Sequence, residues 1–561
     1  MPHDIPDSPQ IADLAERLLQ HVLATNPLDA TLLGFREYDA QLADLTASGQ
    51  AARATARSSI RGEAESIDPA TLNEQDAVTR SVIIAQTEYE ADQDASGAVE
   101  FTVSAFPVAP ASALLAFLHM VVVSDAIQAA DYLARLRDIP RYLSEAEDRL
   151  REGRDTGLVP VAHLVDMSVE QITTFLDTDP CPLALAPREE WVGAEDWRAE
   201  QEAVIDGLVR PAFERHRDVL IEEVLPSSRD LDHVGLAHLP DGRRRYDRLV
   251  RLHTTTDRTP EELHQVGLES VARIHAEFAE LGERILGLSD VQAIFTRLTT
   301  DPELRWASSQ EILDAAEATV RRAEAASGDW FGRLPVAVCA LAPIPELEAA
   351  SSAAAYYMPP ALDGSRPGTY FTNVTDPEQR TRFDLESVAF HEAVPGHHFQ
   401  ISISLETPNL PMIRRLSLFT AYVEGWGLYS ERLADEMGLY SSDLQRMGML
   451  SADAWRAARL VVDTGLHAFG WPRQQAVDYM VANTPVAQIE VEAEVDRYIA
   501  YPGQALSYMT GRLEIQALRA RAEEALGDRF DIRDFHDRVL AVGALPLAVL
   551  GEVVDAWIAS V

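Results

Sequence analysis

The sequence predicts a mainly α-helical fold with a small β-sheet, and three observations lead to this prediction. Most apolar residues recur with the spacing of an amphipathic helix rather than with the alternation of a strand. Helix start signals are frequent, whereas only two short segments have the composition of strands. The 561 residues are 47% hydrophobic, which is enough for a large buried core.

Two helix starts are well marked. The first predicted helix begins after Ser8, a capping residue that is followed by proline at the first helical position, and it ends at Asn26-Pro27. Its apolar stripe consists of Ile11, Leu14, Leu18, Leu19 and Val22. Thr259 starts another helix, because Glu262 three residues later completes a capping box. Further amphipathic stretches lie near residues 194–222, 259–286, 308–327 and 507–527.

The two strand candidates are Val336–Leu341 and Thr369–Val374, each of which follows a proline-containing segment. No internal repeat or flexible linker marks a domain boundary, so we expect residues 1–561 to form a single helical unit. Residues 1–330 are its mainly helical N-terminal part. Residues 331–561 carry the unusual residue combinations and therefore the expected functional site.

The charge balance argues against two classes of partner. The chain has 48 basic and 90 acidic side chains, and its formal net charge is −42. Phosphate backbones and anionic lipid headgroups require clustered positive charge, but the only dense basic run is Arg243-Arg244-Arg245. The longest apolar stretch, Val108–Val123, is shorter than the roughly 20 residues of a spanning helix. We therefore expect neither nucleic acid nor a membrane as a partner.

Cysteine usage and the first residues predict the compartment. Cys181 and Cys339 lie far apart in the sequence and cannot form a disulfide framework. The start of the chain lacks the positive charge and apolar stretch of a signal peptide. These features favour the cytoplasm, and the sequence carries no signal for an oligomeric state.

Three of the 15 histidines fall within the eight residues from His391 to His398, which read His-Glu-Ala-Val-Pro-Gly-His-His. The preceding segment, Asp384–Phe390, has a helical apolar stripe, so His391 and Glu392 are expected at the end of a buried helix. A His-Glu pair with another histidine nearby is typical of zinc hydrolases, because imidazole suits Zn²⁺ and the glutamate can act as general base. The sequence therefore predicts zinc-dependent hydrolysis.

Spacing alone leaves two candidates for the second histidine ligand. In the common zinc motif this histidine stands four residues after the first, but here that position is Pro395, which weakens a helix. On a continuous helix His398 would share a face with His391. The break at Pro395-Gly396 makes that geometry a poor guide, so His397 is also a candidate.

A third protein ligand is expected on a second helix, because a catalytic zinc site has three protein ligands and an open position. The segment Ala421–Glu431 is predicted to be helical, and Glu424 and Glu431 share one face of it. Gly425 and Gly427 cost helix stability, which indicates close packing against another backbone. We expect Glu424 to be the ligand and Glu431 to be an outer partner or a surface residue.

Three segments together resemble the domain of unknown function 885 family. They are the His-Glu-x-x-Pro-Gly-His motif at His391, the Glu-Gly-Trp helix at Glu424, and the Tyr-Pro-Gly-Gln-Ala-Leu-Ser-Tyr segment Tyr501–Tyr508. Residues 356–360 and 368–373 extend the resemblance over nearly the whole chain. That family is similar to glutamate-zincin metallopeptidases, such as the helical oligopeptidases, angiotensin-converting enzyme and the thermostable carboxypeptidases. The resemblance implies a large zincin-like helical body with a cleft and a small sheet near the metal helix.

The resemblance also implies the roles of the central residues. The shared family motif ends at the first histidine after Pro-Gly, which favours His397. Zn²⁺ would then be held by His391, His397 and Glu424. Glu392 would accept a proton from water and pass it to the leaving nitrogen.

Further contacts to the reacting group and the substrate are expected from five residues. His467 and Tyr508 are candidate donors to the oxyanion, and Tyr501 is an alternative donor and a candidate substrate contact. In zinc peptidases an edge strand before the metal helix pairs with the substrate backbone, and Asn373 at the end of the predicted strand could add a side-chain contact. Arg497 could bind a substrate carboxylate, although a salt bridge to a neighbouring acid is an alternative.

Three functions follow as candidates. The first is a zinc metallopeptidase that acts on short peptides, and the second is a zinc hydrolase of a non-peptide amide or ester. The third is a non-catalytic helical binding protein with a structural metal site. Glu392 beside His391 argues against the third, because a structural site needs no general base.

Overall fold

The computed structural model describes residues 7–189, 191–345, 354–360, 362 and 366–561. The described chain is mainly helical with one three-stranded sheet, which confirms the predicted fold class. In this part of the chain no helix combines the length and the apolar character needed to cross a membrane.

The N-terminal part of the described chain is helical, and both predicted helix starts are confirmed. The Ser8 side chain caps the first helix by accepting a hydrogen bond from the backbone of Ile11, and the capping box of Thr259 is formed. The helices are α1 (Pro9–Thr25), α2 (Pro27–Leu33), α3 (Ala47–Ser66), α4 (Glu74–Ser96), α5 (Ala98–Phe101), α6 (Pro110–Phe117), α7 (Ala126–Thr156), α8 (Ala162–Asp177), α9 (Ala194–Val204), α10 (Arg210–Val219), α11 (Gly242–Thr254), α12 (Pro260–Leu286), α13 (Val291–Thr300) and α14 (Ser309–Ala326).

The C-terminal part begins with the sheet and continues with helices. The strands are β1 (Cys339–Pro343), β2 (Ala355–Met358) and β3 (Gly368–Thr372). The helices are α15 (Leu385–Glu392), α16 (His397–Leu405), α17 (Met412–Leu416), α18 (Thr420–Glu436), α19 (Asp443–His467), α20 (Arg473–Asn483), α21 (Gln488–Ala500), α22 (Ser507–Leu526), α23 (Ile532–Leu540) and α24 (Leu547–Ser560).

Strand β3 lies in the middle of the sheet, which corrects one prediction. It runs parallel to β1, with Leu341 opposite Tyr370, and antiparallel to β2, with Tyr356 opposite Phe371. The sequence predicted β1 and β3 with shifted ends and did not predict β2. The expectation of an edge strand ending at Asn373 is wrong, because β1 and β2 already occupy both sides of β3. A substrate backbone therefore cannot add to this strand.

Helix α18 lies between two large hydrophobic clusters. Leu428 packs into a cluster built mainly from α12, α19 and α21. Trp426 packs into a second cluster with α15, α22, α23 and α24. Complete burial of a large apolar side chain contributes about 1.5–3 kcal/mol, so packing on both sides fixes the position of α18. The first cluster contains residues from Phe101 to Met509 and so joins both parts of the chain.

Candidate metal centre

The predicted helix break separates α15 from α16 and turns the chain. Helix α15 ends at Glu392, and α16 starts at His397 after the Val-Pro-Gly turn. The indole N–H of Trp426 donates to the carbonyl oxygen of Pro395 at 2.9 Å and holds this turn against α18. Gly396 is required there, because a Cβ would lie 1.9 Å from a carbonyl oxygen of α15.

The turn brings His397 beside His391, and α18 adds Glu424. The Oε2 atom of Glu424 lies 3.5 Å from Nε2 of His391 and 3.6 Å from Nε2 of His397. The two imidazole rings are nearly perpendicular, with centroids 4.7 Å apart. Among the described residues, these three form the one group of metal-ligating side chains whose candidate ligand atoms all lie within 4.8 Å of one another. The structure thus brings together the three predicted ligands.

His398 is turned away from this group and is already satisfied by the protein. Its Nε2 donates to the carbonyl oxygen of Ala337 at 3.0 Å. Its Nδ1 therefore accepts from the hydroxyl of Tyr357, also at 3.0 Å. With one nitrogen protonated and the other engaged as an acceptor, His398 has no lone pair for a metal. The structure thus excludes the ligand that continuous-helix spacing would favour.

Glu431 is the outer partner of His391. Its Oε1 lies 2.8 Å from Nδ1 of His391, and the hydroxyl of Ser387 donates to its other oxygen. The carboxylate therefore keeps the proton of His391 on Nδ1 and directs Nε2 towards Glu424, as outer partners of metal-binding histidines do. The other histidine differs, since Nδ1 of His397 is buried without a hydrogen-bond partner in the described chain.

Two glycines of α18 allow the helix to approach the site closely. A Cβ on Gly425 would lie 2.5 Å from the backbone of Gly511 in α22, which confirms the predicted close packing between backbones. A Cβ on Gly427 would lie 2.7 Å from the imidazole of His391. Gly427 therefore makes room for a side chain rather than for another backbone.

The electrostatics of the group favour positive charge at its centre. Burial lowers the pKa of His391, but the carboxylates of Glu424 and Glu431 outweigh this effect and raise it to about 9. Burial raises the pKa of Glu424, but hydrogen bonds to His391 and His397 hold it well below its usual range. Burial raises the pKa of Glu392, and the two histidines offset only part of that increase.

Glu392 and Tyr508 flank the three ligand residues and keep some exposure to solvent. Within the described residues no hydrogen-bond donor to Glu392 is found, so its carboxylate is available. The ring of Tyr508 stacks on that of His391 with centroids 6.5 Å apart. Its hydroxyl accepts a long hydrogen bond of 3.4 Å from Gln504. Burial, followed by the charge of Glu424, raises the pKa of Tyr508, so the phenol keeps its proton.

His467 has a structural role instead of the predicted role as an oxyanion donor. Its Nδ1 accepts from the backbone N–H of Leu236 at 3.2 Å, and its Nε2 donates to the carbonyl of Tyr498 at 3.0 Å. Burial lowers its pKa to about 3. The ring is fully buried and its one proton is already donated, so it cannot donate to a substrate.

The other predicted substrate contacts are engaged within the protein. Arg497 donates from Nε and Nη2 to the carboxylate of Glu494, so the alternative of a salt bridge is confirmed and its predicted role towards a substrate is not supported. Tyr501 packs edge-on against His253, with ring centroids 5.0 Å apart. Asn373 is buried, and its side-chain oxygen accepts from the backbone and hydroxyl of Thr375.

Two arginines of α19 that sequence reasoning missed lie against Tyr508. The guanidinium carbon of Arg459 lies 4.6 Å from the centre of the Tyr508 ring, and that of Arg456 lies 5.9 Å from it. They stand three residues apart within an alanine-rich apolar run, Ala454–Val462. Two arginines inside an apolar run are a sequence signal that could have identified them as candidate site residues, because a buried arginine needs a hydrogen-bond or charged partner.

The donor set and its spacing could hold a metal ion, and they are compatible with zinc. Two imidazoles and one carboxylate are a common catalytic zinc set. Ligand distances near 2.0 Å imply tetrahedral edges of about 3.3 Å, and the two measured edges at Glu424 are 3.5 and 3.6 Å. Small side-chain adjustments would therefore be enough to close the site around a metal ion.

Comparison with known proteins gives a family and several solved structures with a similar fold. Residues 27–554 match the family described as "Bacterial protein of unknown function (DUF885)". The solved structure of the "putative lipoprotein" from Colwellia psychrerythraea has a TM-score of 0.91 at 27% identity and covers 98% of this chain and 99% of that chain. The "putative lipoprotein of unknown function" from Shewanella oneidensis has a TM-score of 0.76 at 17% identity, covers 97% and 99%, and shows the fold alone. No curated protein matches.

Proposed function

The chain belongs to the DUF885 family, and from that premise we propose that it is a zinc-dependent peptidase that hydrolyses short peptides. The observation that carries the proposal is the convergence of His391, His397 and Glu424 beside the available carboxylate of Glu392. A structural metal site needs no such carboxylate. Zinc at this position would act as a Lewis acid and lower the pKa of a bound water to near 7.

Glu392 would move the proton in this reaction. Its carboxylate accepts the proton of the attacking water and later donates it to the leaving nitrogen. Burial raises its pKa, which strengthens it as a base and brings it closer to the working pH. The position at the last residue of α15, directly after His391, holds this carboxylate beside the metal ligands.

Tyr508 would stabilise the oxyanion that forms on the substrate carbonyl. Its hydroxyl accepts from Gln504, and its own proton has no acceptor within the described residues. A neutral phenol at this place can donate to negative charge that develops during attack. The stacking of the Tyr508 ring on His391 supports this choice among the predicted donors.

We place the substrate in a zincin-like cleft over these groups. Four side chains at the site keep partial exposure to solvent, namely Glu392, Glu424, Arg456 and Tyr508. The residues packed around these four are largely buried. These charged and polar side chains would line the opening through which a peptide reaches the site.

The adjacent histidines provide a matched test of the metal site. We expect about one zinc ion per chain in protein purified without chelators or a histidine tag, measured by mass spectrometry. His397→Ala should lose the metal, because it removes a ligand, whereas His398→Ala should retain it. No metal in the wild type after addition of zinc, or equal loss in both variants, would contradict the proposal.

A substrate screen tests the reaction itself. Zinc-loaded protein should cleave short peptides when they are compared with acyl amides and esters under the same conditions. Turnover of non-peptide substrates alone would replace the peptidase proposal by a zinc hydrolase of another amide or ester.

We also propose that the protein is cytoplasmic. Cys181 and Cys339 are free thiols, which suits the reducing cytoplasm. Cell fractionation would test this localisation.

A further inference from the structure

Arg456 is placed at the candidate site by its contact with Tyr508. It lies on α19, and its guanidinium carbon lies 5.9 Å from the centre of the Tyr508 ring, which stacks on His391. Arg456 is half-buried and, like Glu392 and Tyr508, keeps partial exposure to solvent.

Arg456 has no carboxylate partner among the described residues. Its one hydrogen bond there is from Nη1 to the carbonyl of Ala452 at 3.5 Å, the limit of such a bond. Its Nε is buried without an acceptor. Removing part of a cation from water without a partner is unfavourable, so the protein leaves this head group incompletely satisfied.

The neighbouring arginines, unlike Arg456, have a carboxylate partner. Arg459, one turn along α19, donates to Glu494 and to the hydroxyl of Tyr498. Arg497 on α21 donates to the same Glu494 carboxylate. The chain has 90 acidic and 48 basic side chains, so acidic partners are abundant. Of these three arginines around Tyr508, Arg456 alone is left without a carboxylate.

We propose that Arg456 binds a carboxylate of the substrate beside the reacting carbonyl, so that the enzyme prefers peptides with a negative charge near the scissile bond. This inference rests on the proposed peptidase function. A guanidinium is suited to the task because its fixed fork of N–H donors matches a carboxylate. The net charge of −42 repels anions at long range, so a fixed local cation is needed to hold one.

The carboxylate could belong to the C-terminus of the peptide or to an acidic side chain. Three probes separate these sources: tetra-alanine with a free C-terminus, its C-terminal amide, and an amidated peptide with one internal aspartate. Each is given to the zinc-loaded wild type and to Arg456→Gln, Arg456→Lys and Arg446→Gln. Arg446 lies on the same helix but pairs with Asp435 at the surface, so its variant controls for a general change of charge.

We expect the wild type to prefer a carboxylate-bearing peptide about ten- to hundredfold in kcat/KM, which is the usual strength of charged hydrogen bonds. Arg456→Gln should abolish that preference mainly through KM, with a loss on the carboxylate-bearing peptide that far exceeds its loss on the neutral amide. Arg456→Lys should retain part of the preference, and Arg446→Gln all of it. The preferred probe shows whether Arg456 binds the C-terminal carboxylate or an acidic side chain of the peptide. Thermal unfolding confirms that the variants fold.

Two results would overturn the inference while the peptidase proposal stands. One is equal cleavage of acid and amide by the wild type, and the other is an equal loss on all peptides in Arg456→Gln. If no peptide is cleaved, the peptidase proposal fails, and calorimetric binding of the same three peptides decides about Arg456. Tighter binding of the carboxylate forms that Arg456→Gln abolishes would support the inference, and binding without such a difference would end it.

Discussion

Two clusters of buried titratable groups in the C-terminal part differ in how their polar atoms are satisfied. In the metal cluster, His391, His397 and Glu424 turn their ligand atoms towards one another. In the second cluster, Asp463 accepts from the hydroxyl of Tyr246 and from a backbone N–H, and His467 is bonded to backbone groups on both sides.

The comparison of the two clusters shows that burial of titratable residues is not by itself a sign of function. Both clusters contain histidine and carboxylate on helices, and both show strongly shifted pKa values. In the second cluster each polar atom completes a contact between elements, so the cluster is structural. In the metal cluster the same kinds of atoms converge on a shared point, where a cation would satisfy them.

The largest expected effect is that of Glu392→Gln. Loss of the general base should lower kcat about 10²- to 10⁴-fold, while the three ligand residues still bind zinc. Peptide turnover and metal content measured on one preparation would check this. Full activity in the variant would refute the general-base assignment, and loss of zinc would show that Glu392 supports the metal instead.

A substitution in the second cluster should change stability rather than turnover. Burial raises the pKa of Asp463 to about 7 from its ordinary 3.8, so between these values the folded protein holds a proton that the unfolded chain has released. This contribution to stability is complete below pH 3.8 and is lost as the pH rises through 7. Compared with Asp463→Asn, the wild type should therefore lose unfolding free energy over that range, by at most about 4 kcal/mol.

Denaturant unfolding of the wild type and of Asp463→Asn from pH 4 to 8 measures this difference in unfolding free energy. The pH-dependent contribution of His467 is the same in both proteins and cancels. Zinc content and peptide turnover at pH 7 should match the wild type after the variant is shown to be folded. A hundredfold loss of turnover without a change in stability would contradict the structural role of the second cluster, because its residues would then take part in the reaction.

The smallest of the three effects concerns Glu431→Gln. Glu431 lies outside the three ligand residues and is satisfied by the protein, since it is only 1% exposed and bonds His391 and Ser387. Removing its charge should weaken zinc binding about ten- to hundredfold. Competition with a chromophoric chelator measures this affinity. Glu436→Gln, on the solvent side of α18 beside Arg519, is the matched control, and equal affinities in both variants would contradict the role of Glu431.

Much of the fold could be predicted because it depends on local signals. The caps at Ser8 and Thr259 and the break after Glu392 are set by side chains within a few residues. Strand β2 was missed because its four residues, Ala-Tyr-Tyr-Met, are too short a run to show alternation, and because its pairing partner β3 is distant in sequence. The same pairing made the edge-strand prediction fail, since the place of a strand in a sheet depends on distant segments.

The candidate site was predictable to the extent that its residues form compact motifs. His391, Glu392 and Glu424 stand in unusual local combinations, whereas Arg456 looks like an ordinary helical arginine in the sequence. His467 was misassigned, and Arg497 was left between a substrate contact and a salt bridge, because a sequence does not show which polar groups meet these side chains. Their partners, Leu236 for His467 and Glu494 for Arg497, emerge only from the packing of the helices.

The helical class, the helix break at Pro395 and the residue types of a candidate metal site could be read from the sequence, because they follow from local propensities and from the chemistry of imidazole and carboxylate. The roles of the two adjacent histidines could not, because neighbouring residues at the start of a helix point about 100° apart and meet different elements. In the folded protein His397 lies beside Glu424 on α18, whereas His398 bonds Tyr357 in the sheet.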